Sequence, residues 1–286
     1  MGSQLKNQYI YKKKLGEGGF GSVYLVEKKS VNKDFVIKVQ YGSKSYDIVR
    51  NEVEQLKKMS HPNVVSYYGS WVEKNKSYII MEYACGGNLR EILERRDRPF
   101  SEQSAMYFFS QIILGVHHIH KQKVLHRDLK PANIVLASNC IVKIADFGIA
   151  KNIAHDNAVT KIGTKIYMAP EVLSNQMYDY KADIWSTGII LYEMLTKKFP
   201  FSTRDHLMMM NQISRGIVRL LDSDKISCEI QNIVYSMLQR SPTNRPSASQ
   251  LVLNSAVLSS IEKFYKTLEG HQKELIFGVI SNNKKI

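Results

Sequence analysis

Cysteine is scarce in this chain. Cys85, Cys140 and Cys228 are odd in number, far apart and outside any Cys-x-x-Cys pair. That argues against a disulfide framework or a thiolate zinc site and fits a reducing compartment. Long apolar stretches are missing too: no run reaches the roughly eighteen residues of a spanning helix. No basic-then-apolar leader opens the sequence, so neither a membrane span nor secretion is expected. Met1-Gly2-Ser3 is not followed by the Ser or Thr of a lipidation signal, because Lys6 stands there. Acidic residues are in deficit, 26 against 40 Lys plus Arg, for a formal charge of +14. The excess is dispersed in pairs such as Lys28-Lys29, Lys57-Lys58, Arg95-Arg96 and Lys197-Lys198, with no stripe interleaved with aromatics. This reads as a solvated basic surface that attracts acidic partners, not as a nucleic-acid platform.

What is present is enough for a large core. The chain has 286 residues, 44% of them hydrophobic and 10% aromatic, as expected for a globular protein. Residues Leu15 to Val26 read as strand, glycine turn, strand, and Phe35 to Val39 as a short β-branched strand. Between Tyr46 and Met59, the residues Ile48, Val49, Val53, Leu56 and Met59 recur at helical spacing. Two more strands are expected over Val64–Val72 and Ser77–Tyr83, after which Gly86-Gly87 breaks the pattern. Helical stretches follow over Ser101–Lys121, Ala182–Leu195, Arg204–Arg215, Cys228–Gln239 and Ser247–Asn254. The fold class is therefore α+β and bilobal, with a β-rich N-lobe over 9–84 and a larger helical C-lobe over 85–258. Residues 1–8 are an N-terminal extension. Residues 259–286 form a tail in which Ile261, Phe264, Tyr265 and Leu268 keep helical spacing.

Two motifs carry chemistry. Gly16-Glu17-Gly18-Gly19-Phe20-Gly21-Ser22-Val23 matches G-x-G-x-x-G-x-V. A dinucleotide turn has the same glycine spacing but opens a helix, whereas Val23-Tyr24-Leu25-Val26 is β-rich; a strand–turn–strand lid over phosphates fits better. The second motif is His126-Arg127-Asp128-Leu129-Lys130-Pro131-Ala132-Asn133, with Asp146-Phe147-Gly148 thirteen residues on. Asp128 can take a hydroxyl proton, Lys130 can neutralise phosphoryl charge, and Asn133 with Asp146 offers hard oxygens suited to magnesium. His117, His118, His120 and His126 are not read as a metal cluster, because no cysteine or carboxylate completes a tetrahedral set.

These segments, with Phe35-Val36-Ile37-Lys38 and Ala169-Pro170-Glu171, resemble those of eukaryotic protein kinases over about Tyr9 to Asn254. The resemblance looks closest to NimA-related Ser/Thr kinases, on His61-Pro62-Asn63-Val64-Val65-Ser66-Tyr67-Tyr68, Asp146 to Lys151 and Lys181 to Ile189. Sterile-twenty-like and calcium-regulated kinases share much of the pattern, and a pseudokinase scaffold would lack at least one of the catalytic residues present here. The resemblance implies an ATP- and Mg2+-dependent Ser/Thr kinase acting on proteins. In that reading Lys38 pairs with Glu52 to hold phosphates. Glu54 is the competing partner, but Glu52 shares a helix face with Leu56. Val23, Val36 and Val135 join the glycine loop as nucleotide-binding residues, Glu82 to Ala84 meet the adenine, and Met81 is the gatekeeper.

The same resemblance makes residues 146–171 an activation segment. Thr160 is expected to be the activating phosphosite, its phosphate pairing with Arg127, and Thr164 to touch Asp128 and Lys130. Glu171 is expected to pair with Arg245, and Asp183 to bond the catalytic-loop backbone. Tyr67 is expected in a stack with Leu56, His126 and Phe147. Ile149 after the Asp-Phe-Gly favours threonine acceptors, and Asn88 and Ala132 replace glutamates that would select arginine. An upstream kinase or self-phosphorylation is implied, in the cytoplasm, at the nucleus or on the cytoskeleton.

Overall fold

Strand order in the smaller lobe already dictates which side chains can meet a ligand. The computed structural model describes residues 7–18, 21–41, 50, 53–146, 165–202, 205–270, 272–274 and 276. Strands β1 (Tyr9–Gly18), β2 (Gly21–Lys28), β3 (Lys33–Tyr41), β4 (Tyr67–Glu73) and β5 (Lys76–Glu82) form one antiparallel sheet in the order β1-β2-β3-β5-β4. In register, Val23 stands opposite Lys38, Lys38 opposite Ile79, and Val36 opposite Met81. Because side chains alternate along a strand, Val23, Val36, Lys38 and Met81 share the face toward the other lobe. The opposite face gathers Val26, Phe35, Ile37, Val39, Tyr78 and Ile80 into a separate apolar cluster. Trp71 stacks on its cross-strand partner Tyr78 there, with ring centroids 4.7 Å apart.

The strand expected from Val64 begins only at Tyr67. Val65 N–H donates to the Ile144 carbonyl (3.0 Å), and Ile144 N–H to that of Asn63 (2.9 Å). Those backbone groups therefore fasten the lobes together and do not extend the sheet. The helix expected before it is described at residues 50 and 53–57 alone, where Val53 and Leu56 are buried.

The larger lobe is built from α1 (Leu89–Arg95), α2 (Glu102–Lys121), α3 (Pro170–Leu173), α4 (Lys181–Thr196), α5 (His206–Arg215), α6 (Cys228–Met237), α7 (Ala248–Val252) and α8 (Ser255–Lys266). It also holds a hairpin of β6 (Ile134–Leu136) and β7 (Val142–Ile144). Ser101 starts α2 by accepting from Ser104 N–H (3.2 Å). Helix α4 is buried on every side from Ala182 to Leu195, mostly apolar but with Asp183 and Glu193 among its buried members, and a helix so enclosed becomes the centre of a core. Each fully buried Ile or Leu there contributes about 1.5–3 kcal/mol. Helix α8 packs on α2 and crosses position 258, where the sequence placed the domain's end. Ile261, Phe264, Leu268 and Ile276 beyond it join the main core, because their period-3.6 apolar face needs a neighbour to cover it. No helix among the described residues is long and apolar enough to cross a membrane.

Candidate active site

The loop that links α2 to β6 is held from below by one carboxylate. Asp183, almost fully buried in α4, accepts from the backbone N–H of His126 (2.9 Å) and of Arg127 (3.0 Å). It also meets His120 Nε2 at 2.9 Å. Burial works against its charge, but His120 and His126 outweigh that and hold its carboxyl below the usual range. These contacts sustain a left-handed Arg127 (φ +68°), a conformation that costs a non-glycine residue about 1 kcal/mol. His126 is buried beneath the loop, its Nε2 3.1 Å from the Ala145 carbonyl, and burial pushes its pKa down.

With that turn in place, Asp128 lines a groove of the larger lobe with Arg127, Lys130, Tyr167 and Tyr178. Lys130 Nζ donates to Asp128 Oδ2 (2.9 Å). Pro131 opens a 3-10 turn over Pro131–Asn133, which swings Asn133 back so that its Nδ2 donates to the Asp128 carbonyl (2.8 Å) and to Oδ2 (3.0 Å). The amide oxygen of Asn133 has no donor among the described residues and is the group left for a cation. Asp146 also has positive φ (+60°), and its Oδ1 accepts from Lys38 Nζ at 2.7 Å. Burial opposes the Asp146 charge, yet Lys38 keeps the carboxyl below its ordinary value. Nearly half of that side chain (49%) is open to solvent, so water screens the pair.

A cleft of about 560 Å3 runs from Lys38, Asn133 and Asp146 to the connector between the lobes, a size that takes a ligand of a few hundred daltons. Leu15, Gly16, Val23 and Val36 roof it, Met81 closes the back, and Val135 and Ala145 line the floor. The connector is stitched to β6 by Gly86 N–H to the Leu136 carbonyl (2.7 Å) and Leu136 N–H to that of Gly87 (2.9 Å). Neither the N–H nor the carbonyl of Ala84, on the same wall, makes a hydrogen bond among the described residues. The cleft thus offers a flat apolar slot and an unpaired amide edge at one end, and a cation with hard oxygens at the other. That donor set fits a magnesium nucleotide. The side chain of Glu82 turns away behind the connector, meeting Lys143 Nζ (2.9 Å) and Ser66 N–H (3.2 Å).

Not every glycine of the lid faces a ligand. A Cβ on Gly21 (φ +155°) would lie 1.9 Å from the Val39 carbonyl, whereas one on Gly16 would touch nothing within 4 Å. Gly21 is therefore demanded by the close approach of β3, a packing reason the motif alone did not disclose. Tyr67 donates to or accepts from Ser70 Oγ (2.8 Å) and shares a rear groove with Leu56 and His61. Glu52, Gly19, Phe20, Phe147, Ile149, Thr160 and Thr164 lie outside the described residues.

Below the acceptor side, Glu171 and Arg245 form a bidentate pair of 2.7 and 2.8 Å. Arg245 spends its other donors on the carbonyls of Gln239, Lys181 and Arg240, and its guanidinium lies over the Trp185 ring. A second buried cluster, invisible in the sequence because its members are 77 and 103 residues apart, joins Arg90 of α1 to Tyr167 and Glu193. Among the described residues no group of three or more His, Cys, Asp or Glu is placed to hold a metal by itself. His61 and His118 instead stack at 4.9 Å.

Comparison with known proteins agrees with this geometry. The family model described as protein kinase domain matches residues 9–256. The chain is 40% identical to serine/threonine-protein kinase Nek5 of Mus musculus over 242 residues, covering 83% of this chain and 38% of that protein. It is 37% identical to serine/threonine-protein kinase Nek3 of Mus musculus over 261 residues, covering 90% and 51%. To a putative serine/threonine-protein kinase A of Trypanosoma brucei brucei it is 32% identical over 284 residues, covering 95% and 66%. The chain thus spans only 38% to 51% of the length of the two mouse relatives.

Proposed function

Because this chain belongs to the protein kinase domain family, we propose that it transfers the γ-phosphoryl group of ATP to serine or threonine hydroxyls of proteins. Similarity to the Nek kinases supports placing it in the NimA-related branch. The observation that carries the activity is the convergence of Lys38, Asn133 and Asp146 at one end of the cleft, with Asp128 and Lys130 tied to them through the Asn133 amide.

Asp128 orients the acceptor hydroxyl and receives its proton, while Lys130, 2.9 Å away, balances charge that builds on the acceptor side. Asn133 and Asp146 supply the oxygens for magnesium, Lys38 the ammonium for phosphates, and the Ala84 backbone the edge for a purine. When bound, the magnesium nucleotide supplies the phosphoryl group and the charge neutralisation that a loose transition state requires. The rigid Asp183 support keeps Asp128 in place, so positioning is prepared before substrate arrives.

Finer readings rest on the sequence. Ile149 supports a threonine preference. Thr160 is the activating phosphosite, ordered by Arg127, with an upstream kinase or the chain itself as donor of the modification. Action in the cytoplasm, at the nucleus or on the cytoskeleton accords with the cysteine content. The test is intact mass after incubation with ATP and magnesium, with phosphothreonine mapping and transfer to a protein acceptor. The native chain gains phosphate, mapped to Thr160, and phosphorylates threonine peptides. Asp128→Asn lowers transfer about 10²–10⁴-fold. No transfer by the native chain overturns the enzyme reading; full activity of Thr160→Ala overturns the switch alone.

A further inference from the structure

We propose that Arg90 is a specificity-determining residue: it occupies, from within the chain, a guanidinium site formed by Glu193 and Tyr167, and so closes that site to arginine side chains of substrates. The inference rests on the protein-acceptor reading above. Arg90 Nη1 donates to Glu193 Oε1 at 2.7 Å and Nη2 to Oε2 at 3.2 Å. Arg90 Nη2 also meets the Tyr167 hydroxyl, which itself donates to Glu193 Oε2 at 2.5 Å. The fork-on-carboxylate pattern is the one by which proteins recognise arginine from outside.

Its position makes it a substrate-side feature. Tyr167 lines the groove that also contains Asp128 and Lys130. Helix α1, which carries Arg90, packs against Pro131–Asn133, and its neighbours Asn88 and Glu91 line the nucleotide cleft. Within the cluster Arg90 is the outer member, 30% exposed against 6% for Glu193. Burial works against the Arg90 charge, but Tyr167 and Glu193 outweigh it, so the lid stays cationic. Glu193 is thus a buried carboxylate beside the acceptor groove whose need for a cation is met internally. Asn88 and Ala132 are uncharged, and the exposed Glu94 of α1, 4.0 Å from Arg90 Nε, is drawn to the same guanidinium.

Removing Arg90 leaves a buried carboxylate unpaired and a guanidinium-sized opening above it, which a substrate arginine can fill. The experiment is a positional peptide library centred on threonine, read for native chain, Arg90→Ala, and Arg90→Ala combined with Glu193→Gln. The native chain is indifferent to arginine upstream of the acceptor. Arg90→Ala gains about a tenfold preference for arginine over alanine at one position, and the double variant loses it again. If Arg90→Ala does not fold, Arg90→Ser, which leaves the guanidinium volume open to solvent above the carboxylate, carries the same test. An active variant with unchanged arginine selectivity overturns the proposal and marks the cluster as a structural staple. A native chain that phosphorylates nothing fails the activity reading instead, and the two failures are distinguishable.

Discussion

Two ion pairs of equal length lie in opposite surroundings. Lys38–Asp146 and Arg245–Glu171 both measure 2.7 Å. The first opens to the cleft, with 15% and 49% of its side chains exposed; the second is sealed at 0% and 4%. In the cleft, water screens the attraction and a ligand's charges can replace either partner. In the interior nothing replaces a lost partner, and the remaining charge is stranded. One pair is therefore available for chemistry, while the other fixes the segment after Ala169 to the lobe that carries α4.

The comparison breaks most readily at the sealed pair. Arg245→Met is expected to cost about 3–5 kcal/mol, a fall in Tm of roughly 10 °C by calorimetry; a shift under about 2 °C would mean the pair is not the anchor it looks. Lys38→Met is expected to leave Tm nearly unchanged and lower phosphoryl transfer about 10²–10³-fold in a kinetic assay. A large loss of Tm with intact activity would reverse the assignment.

Burial without a partner charge gives a third probe. His117 is pushed down to about 4, first by burial and then by Lys121, His120 and His118. His61, stacked on His118, also lies well below the ordinary value because of burial. The unfolded chain takes up these protons near pH 6.5 and the folded chain only at lower pH. The stability they confer is thus present above pH 6.5 and drains away as pH falls from there toward 4. Calorimetry across that window should show a Tm falling by several degrees, with a shallower slope for His117→Gln. The smallest effect is expected at Ser247, which closes a capping box with Gln250. Ser247→Ala should cost about 1 kcal/mol in urea denaturation, far less than either ion pair.

Local patterns made much of this molecule legible. Helix α2 begins at the capping serine and α4 spans the apolar stretch read for it, because cap and periodicity are properties of adjacent residues. Helix α1 was missed although Asn88 and Glu91 carry a start signal three residues apart, realised as Glu91 N–H to Asn88 Oδ1 (3.0 Å) and Asn88 Nδ2 to Glu91 Oε1 (2.7 Å). The hairpin of β6 and β7 has three residues per strand, too few for an alternation to register. Tyr67 and Val64 differ from expectation because the strand start was decided by a distant partner, Ile144.

By itself the sequence determined the two-lobed class, the candidate chemistry of Asp128, Asn133, Asp146 and Lys38, and the family, since these reside in short contiguous motifs. Only the tertiary structure decided that Asn63 and Val65 fasten the lobes through Ile144, that Gly21 is required by a neighbouring strand, and that Arg90 spends its charge on Glu193. Each of those depends on groups brought together from far along the chain, where burial sets whether a charge is free to act or already satisfied.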